Sequence, residues 1–343
     1  MPPTERATAS GRPLLERLGG LREASMIWIA LVVLVVVCAL FEPSTLKGSA
    51  ILSMLPFAAI LAIAAVGQCL VIQQGGIDFS VVGSITLSAV IVCGHAAGDG
   101  GKLFEAILMA LGAVLIAGLI NGIAVTMLRI TPIIATLATN ALLLGAVQTY
   151  TNGVPQSATK GLSEFAIDKT LGIPHTVYIA AIFVAVAAVV LAKTVVGRRF
   201  IAIGANPDAA KAAGLRVNRY LIGTYMLAAL CYGAAGIVLA GYVKTPGTTV
   251  GNPYLLSTIT AVVVGGTALG GGRGRVVGAA VAAVFLSQLE SFISATGAPP
   301  SVSLLVQSAA IAVAVGFSSS EAAGSLRRLF AGLQPRGRTR LAR

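Results

Sequence analysis

Charge is what this chain has least of. Only 10% of its 343 residues are Asp, Glu, Lys or Arg, against about 25% in soluble domains. The two histidines, His95 and His175, stand alone, so no metal cluster is expected. The four cysteines, Cys38, Cys69, Cys93 and Cys231, fall in apolar runs without a CxxC partner and read as buried, inert thiols. Nucleotide-binding signatures are missing as well. The only Gly-Lys pair, Gly101–Lys102, is followed by Leu103, and the glycines of GGTALGGGRGR lack the Lys-Ser/Thr of a Walker A loop. Neither H-E-x-x-H nor a G-x-S-x-G with triad partners occurs. The chain is therefore expected not to be an enzyme, and to hold no cofactor or metal of its own.

What is abundant is apolar: 56% of residues are hydrophobic and the mean hydropathy is +0.91. Runs of 18 or more such residues read as membrane spans, because about 20 helical residues cross the hydrocarbon layer. Ten are expected, at 26–42, 50–73, 79–97, 103–128, 132–150, 176–196, 220–242, 254–268, 276–295 and 301–317. The third is weakly polar and is expected to be broken or buried in the bundle. MIWIALVVLVVVCALF has no small-residue cleavage site after it, so it reads as a retained first span. The expected fold class is an all-α polytopic membrane protein. Residues 1–25 form an N-terminal segment, 26–317 the transmembrane domain and 318–343 a basic tail.

The net charge of +12 would suit nucleic acid, but the positions of the cations give a different reason for it. With the N-terminus inside, 19 Lys and Arg fall on the inner side and 5 on the outer. The inner set includes Arg129, Lys193, Arg198, Arg199, Arg273, Arg275 and the six arginines from Arg327 onward; Lys47, Lys102, Lys160, Lys169 and Lys244 lie outside. Cations resist translocation, so this asymmetry places both termini in the cytoplasm and makes nucleic-acid binding unnecessary. Residues 151–175 then form a long external loop and 197–219 a long cytoplasmic one. The tail reads as a topology anchor, with anionic lipid as a second reading. A faint internal repeat relates GGIDFSVVGSITLSAVI to GGTALGGGRGRVVGAAVAAV.

In the cytoplasmic loop, Asn206 is a good N-cap and Pro207 suits the first helical position. Asp208 favours the first turn, Ala209, Ala210, Ala212 and Ala213 propagate the helix, and Gly214 stops it. Two such turns are too short to stand alone. Either the helix packs on its own bundle, or it is a surface knob whose small face fits a partner's groove, flanked by Arg198, Arg199, Arg216 and Arg219.

Four motifs, in order, carry a resemblance over about residues 50–317: GGIDFSVVGS, GLINGIAVTMLRITPIIATLATNALLLGAVQTYTNG, GRRFIAIGANPDAAKAAGL and AVVVGGTALGGGRGRVVGA. The chain resembles the membrane permease subunit of sugar-type ABC importers, the ribose/xylose/galactoside group. The resemblance implies a bacterial inner-membrane permease that works as a homo- or heterodimer. It also implies an ATP-binding subunit that holds the ATP, and an extracytoplasmic sugar-binding protein. It gives the Asn206–Gly214 helix the role of a coupling helix, with Asn206, Pro207, Ala209, Ala210, Ala213, Gly214 and Arg216 docking onto the ATP-binding subunit. The family turn usually reads GGIDLSVGS. Here Phe79 replaces Leu and one valine is extra, which turns the helix after Asp78 by about 100°.

Polar residues in a membrane bundle face its interior or a cavity. Thr136, Asn140, Leu144 and Gln148 share one face of the fifth span at i, i+4 spacing. That stripe suits a neutral polyol in a substrate path, and equally suits interhelical hydrogen bonds. Asn121 lies between Gly118 and Gly122, where close helix packing is the leading reading. In the last spans Gln288, Glu290, Ser291 and Gln307 are the polar candidates, and Gln288, Glu290 and Gln307 are placed on the path. Relatives tend to carry amides at the position of Glu290, whose carboxylate is either protonated, near the outer interface, or tuned to the substrate. Asp78, after Gly75 and Gly76 in a structural turn, reads as the cap of the third span. Two other functions remain at this stage: a stand-alone secondary transporter, which needs an ion site that only Asp78 and Glu290 offer, and an ABC permease for branched-chain amino acids.

Overall fold

A computed structural model describes the backbone of residues 13–318 and the side chains of 27–299 and 301–312. The basic tail from residue 319 and the first twelve residues, with the readings placed on them, lie outside the described residues. Thirteen α-helices follow one another: α1 Pro13–Phe41, α2 Gly48–Gln73, α3 Val81–Ala96, α4 Leu103–Thr126, α5 Pro132–Thr151, α6 Lys160–Ile167, α7 His175–Lys193, α8 Val195–Ala205, α9 Pro207–Ala212, α10 Val217–Val243, α11 Tyr254–Val264, α12 Val276–Ala295 and α13 Pro300–Ser318. Lys169–Thr170 and Ile173–Pro174 pair as a short antiparallel hairpin between α6 and α7.

Among the described residues, six helices are long and apolar enough to cross a membrane: α2, α4 with the turn before it, α5, α7, α10 and α12. Four more apolar helices are shorter: Ile27–Phe41, α3, α11 and Ser301–Ala312. The bundle is built around α2, which is apolar on every face and almost wholly buried, the pattern of a helix surrounded by others. It packs against α7, α10, α11 and α12, while α3 and α4 pack on the far side of α10. By contrast, most of α7 faces outward, where its Val and Ile side chains meet lipid.

The third expected span is continuous and buried rather than broken. Two of its hydroxyls are satisfied within the helix: Thr86 Oγ1 donates to the Val82 carbonyl at 2.8 Å and Ser88 Oγ to that of Ile85 at 3.0 Å. Small residues let its neighbours close in. A Cβ at Gly236 of α10 would meet Ile85 and Ser88. The Gly118/Gly122 pair of α4 likewise lies on α10: a Cβ on either would come within 2.6–2.7 Å of the Tyr225 carbonyl or Ile222 Cα. Close approach at small residues is the main source of helix association where lipid is as apolar as the side chains.

The internal repeat has a physical counterpart. After α2, Gly75 N donates to the Ile72 carbonyl and Gly76 N to that of Val71; after α11, Gly266 N donates to Val263 and Thr267 N to Val262. Gly75 and Gly266 both take φ near +80° (78° and 88°), a left-handed stop that glycine adopts without strain. Each stop leads to a helix whose first residue is a valine, Val81 or Val276.

Two loops hold more structure than their polarity suggested. The loop at 151–175 contains α6, capped where Thr159 Oγ1 accepts from Leu162 N at 3.3 Å. The segment leading into the loop at 197–219 forms α8, capped by Thr194, whose Oγ1 accepts from Gly197 N at 3.0 Å.

Candidate functional site

Apart from Gln148, the polar residues read as one substrate path fall in three separate places. The first is the start of α3. Thr136 Oγ1 of α5 accepts from Phe79 N at 3.0 Å, and Asn140 Oδ1, one turn on, accepts from Gly83 N at 2.8 Å. Asp78 Oδ1 accepts from Ser80 N at 2.8 Å and from Ser80 Oγ at 2.6 Å, and Asn121 Nδ2 of α4 donates to Ser80 Oγ at 3.0 Å. The first N–H groups of a helix have no partner within it; here those of Phe79 and Gly83 are met by side chains of α5 and that of Ser80 by Asp78. Asp78 is buried, as is Ser80, and the Gly75–Gly76 stop aims both at the helix start. Thr136, Asn140 and Asn121 therefore act as interhelical hydrogen-bonding groups. Gln148, three turns beyond Thr136, is exposed at the other end of α5.

The second place lies at that other end of the bundle, where two neighbouring cavities of about 390 and 430 Å³ share Phe57, Ser287 and Glu290. Thr249, Tyr254 and Ser257 line one; Ser44, Ser53, Ser291 and Ser294 line the other. Glu290 Oε1 accepts from Gln307 Nε2 at 2.9 Å, and Gln307 Oε1 accepts from Ser257 Oγ at 3.2 Å. The ring of Phe57 stands edge-on to Tyr242 at 5.1 Å. A carboxylate, hydroxyls and an aromatic face supply what a polyhydroxylated neutral molecule needs: acceptors, donors and a flat apolar wall. Ser257, Ser287 and Tyr254 were not singled out in the sequence, because each sits in an apolar run where a lone hydroxyl carries no signal. Gln288 is the third place: it points to α1, its Nε2 3.5 Å from Cys38 Sγ.

At the α3-start end of the bundle lies the α8–α9 loop. Asn206 Oδ1 accepts from Ala209 N at 2.9 Å, Pro207 opens α9, and Gly214 follows its end at φ 79°. Asn206, Pro207, Ala209, Ala213, Gly214 and Arg216 are exposed. Ala210 is the correction: it is 5% exposed and faces inward, so it supports the helix from below. Beneath this loop, α8 grips the end of α2. Gln74 Nε2 donates to the Phe200 carbonyl at 2.9 Å, and a Cβ on Gly204 would run into the Gln73 carbonyl. The Gly-rich stretch before α12 closes the same knot: Gly272 N donates to the Gln73 carbonyl at 2.8 Å.

A helical bundle with spans of membrane length, a small-residue helix held out at one end and hydroxyl-lined cavities at the other is a multi-pass membrane protein. The chain matches the family model described as "Branched-chain amino acid transport system / permease component" over residues 50–315. It belongs to that family and is a transport permease component. It is 35% identical to the ribose import permease protein of Bacillus subtilis (strain 168), over 84% of this chain and 90% of that protein. It is 33% identical to the ribose import permease protein of Escherichia coli (strain K12), over 90% of this chain and 97% of that one. It is also 33% identical to the galactofuranose transporter permease protein of the same strain, over 74% and 75%. No solved structure matches it.

Proposed function

We propose that this chain forms the translocation path of an ATP-driven importer for a small neutral sugar or polyol. The observation that carries this reading is its similarity to ribose import permease proteins over 84–90% of its length. The carboxylate and hydroxyls that line the cavities at Glu290 support the substrate class.

The ten apolar helices, long and short together, support a ten-span reading with both termini in the cytoplasm of a bacterial inner membrane. The cation asymmetry supports the same orientation. Two permease subunits, homo- or heteromeric, would pair, and Asn206–Gly214 would dock on an ATP-binding subunit that holds the nucleotide. The chain itself would hydrolyse nothing. An external binding protein would deliver substrate to the Glu290 side. Closure of the ATP-binding subunits would push α9 and α8, and through Gly204 the end of α2.

The test is recovery of the chain from native membranes in mild detergent, with mass spectrometry of what comes with it. An ATP-binding subunit and uptake of a labelled pentose competed by other sugars are the expected results. Recovery of the chain alone, with uptake that survives ATP depletion and fails with an uncoupler, would overturn the reading for a stand-alone transporter.

A further inference from the structure

One side chain of α2 breaks the burial of that helix. Phe57 is 43% exposed, and it is the one large apolar side chain of α2 left so uncovered. It lines both cavities at the Glu290 end; among the described residues only Ser287 and Glu290 of α12 do the same. Ring and carboxylate therefore stand where the two spaces meet, each carried by one of two helices packed together. The ring is braced. It meets Tyr242 edge to face, with centroids 5.1 Å apart and planes at 83°. Tyr242 Oη donates to the Ser53 carbonyl, one turn before Phe57, at 3.2 Å. Pro56 has no N–H to give the Leu52 carbonyl, so the helix is weakened at this turn and Tyr242 ties the turn to α10. Glu290 is fixed as well: its Oε1 takes the Gln307 amide, which leaves Oε2 to accept.

We infer that Phe57 selects the substrate, as a stacking platform for a sugar in its ring form that is reached from either cavity. This rests on the sugar import proposed above and narrows its substrate class from sugar or polyol to a cyclic monosaccharide. A sugar ring has a face of C–H groups and an edge of hydroxyls. Its C–H groups are polarised by the neighbouring oxygens, and the face of an aromatic ring is negative. A sugar lying on Phe57 turns its edge to Glu290 Oε2 and the Ser287 hydroxyl, which both cavities share. Crossing from one cavity to the other then exchanges the outer contacts while the ring and the carboxylate are kept. Each cavity is at the small end of ligand pockets, with room for one sugar ring. An acyclic polyol brings the hydroxyls without a continuous C–H face, so it gains only the polar half of the contact.

The test uses the fact that Trp28 is the chain's only tryptophan. Trp28→Phe combined with Phe57→Trp puts a single indole at the platform. The full chain in mild detergent is titrated with aldopentoses and aldohexoses, each beside the alditol made by reducing it, and indole emission is read. At least one sugar should shift the emission and saturate, and its alditol should need about tenfold more or give no shift. Silence to every sugar, equal response to sugar and alditol, or the same shift in wild type with Trp28 alone would each overturn the platform. Uptake by the assembled complex at saturating external binding protein then separates the ring from its bulk. Phe57→Tyr should stay within about twofold of the wild-type maximal rate, while Phe57→Leu should lose about fivefold, the scale of one aromatic contact. Leu at the wild-type rate, or equal losses in Tyr and Leu with the complex intact, would show that bulk alone matters and overturn the stacking role. Uptake that survives ATP depletion would sink the importer reading by itself, because the emission titration needs no ATP and still reports the platform.

Discussion

The Gln73 carbonyl, at the end of the buried helix α2, accepts from the backbone N–H of Gly272 and lies in van der Waals contact with Gly204 of α8. Through this one group the α8–α9 segment, the Gly-rich stretch before α12 and the centre of the bundle are joined. Any side chain at Gly204 or Gly272 would separate them.

The first prediction follows from that contact. Gly204→Val should force α8 off α2 at an overpacking cost of about 1–3 kcal/mol. The exposed face of α9 is untouched, so the ATP-binding subunit should still copurify. What should fall is substrate moved per ATP hydrolysed, measured in proteoliposomes containing the complex. An unchanged ratio would show that α8 does not transmit the stroke.

The docking face and its support should separate by mutation. Ala213→Glu places a charge on an exposed small-residue surface and should abolish copurification of the ATP-binding subunit at nearly wild-type thermal stability. Ala210→Glu should instead destabilise the loop, because a carboxylate would be forced into a buried position. Copurification at wild-type level with Ala213→Glu would exclude this face as the contact.

These two variants mark how far the sequence was legible. Asn206, Pro207 and Gly214 announced a short helix and its ends because caps and stops are local chemistry. The inward turn of Ala210 was not legible, since four alanines in five residues give no apolar face to distinguish. α8 was missed because Arg198 and Arg199 made its segment read as a loop, although Thr194 is a cap three residues before Gly197. The i, i+4 stripe of Thr136 and Asn140 was correctly placed on one face. Its role was open because a polar face turned to a substrate and one turned to a neighbouring helix have the same spacing. Only the positions of Phe79 N and Gly83 N distinguish them. The Gly-rich 265–275 stretch read only as half of a faint repeat and as part of a family motif; its packing role was not legible, because its partner, the Gln73 carbonyl, is nearly 200 residues away in sequence.

Asn140 offers a clean check on the capping role. Asn140→Ala removes the acceptor for Gly83 N and should lower stability by about 1–3 kcal/mol, the usual cost of a buried unmet donor. Thermal unfolding in detergent reads this directly. A substrate-path role would give the opposite pattern, with intact stability and a raised half-saturation concentration for uptake.

Glu290 should behave as a substrate-side group. Its Oε1 accepts from Gln307 Nε2 at 2.9 Å, and Gln307 in turn accepts from Ser257, so the three form a chain along one cavity wall. Glu290→Gln keeps an oxygen for Gln307 and adds a donor; the fold should be unaffected, and preference among sugars should shift rather than vanish. Glu290→Leu leaves the buried Gln307 amide without that acceptor and removes the only carboxylate that, among the described residues, lines either cavity. It should lower stability by about 1–3 kcal/mol and cut uptake at least about tenfold, equivalent to one lost interaction of roughly 1.4 kcal/mol with the substrate. Comparing uptake in the two variants at matched protein level separates the contributions, since only Leu disturbs the wall. If both variants transport the same sugars at wild-type rates, Glu290 serves the wall alone, and the substrate must pass along another face of the bundle, with Gln148, exposed near the end of α5, the next residue to test.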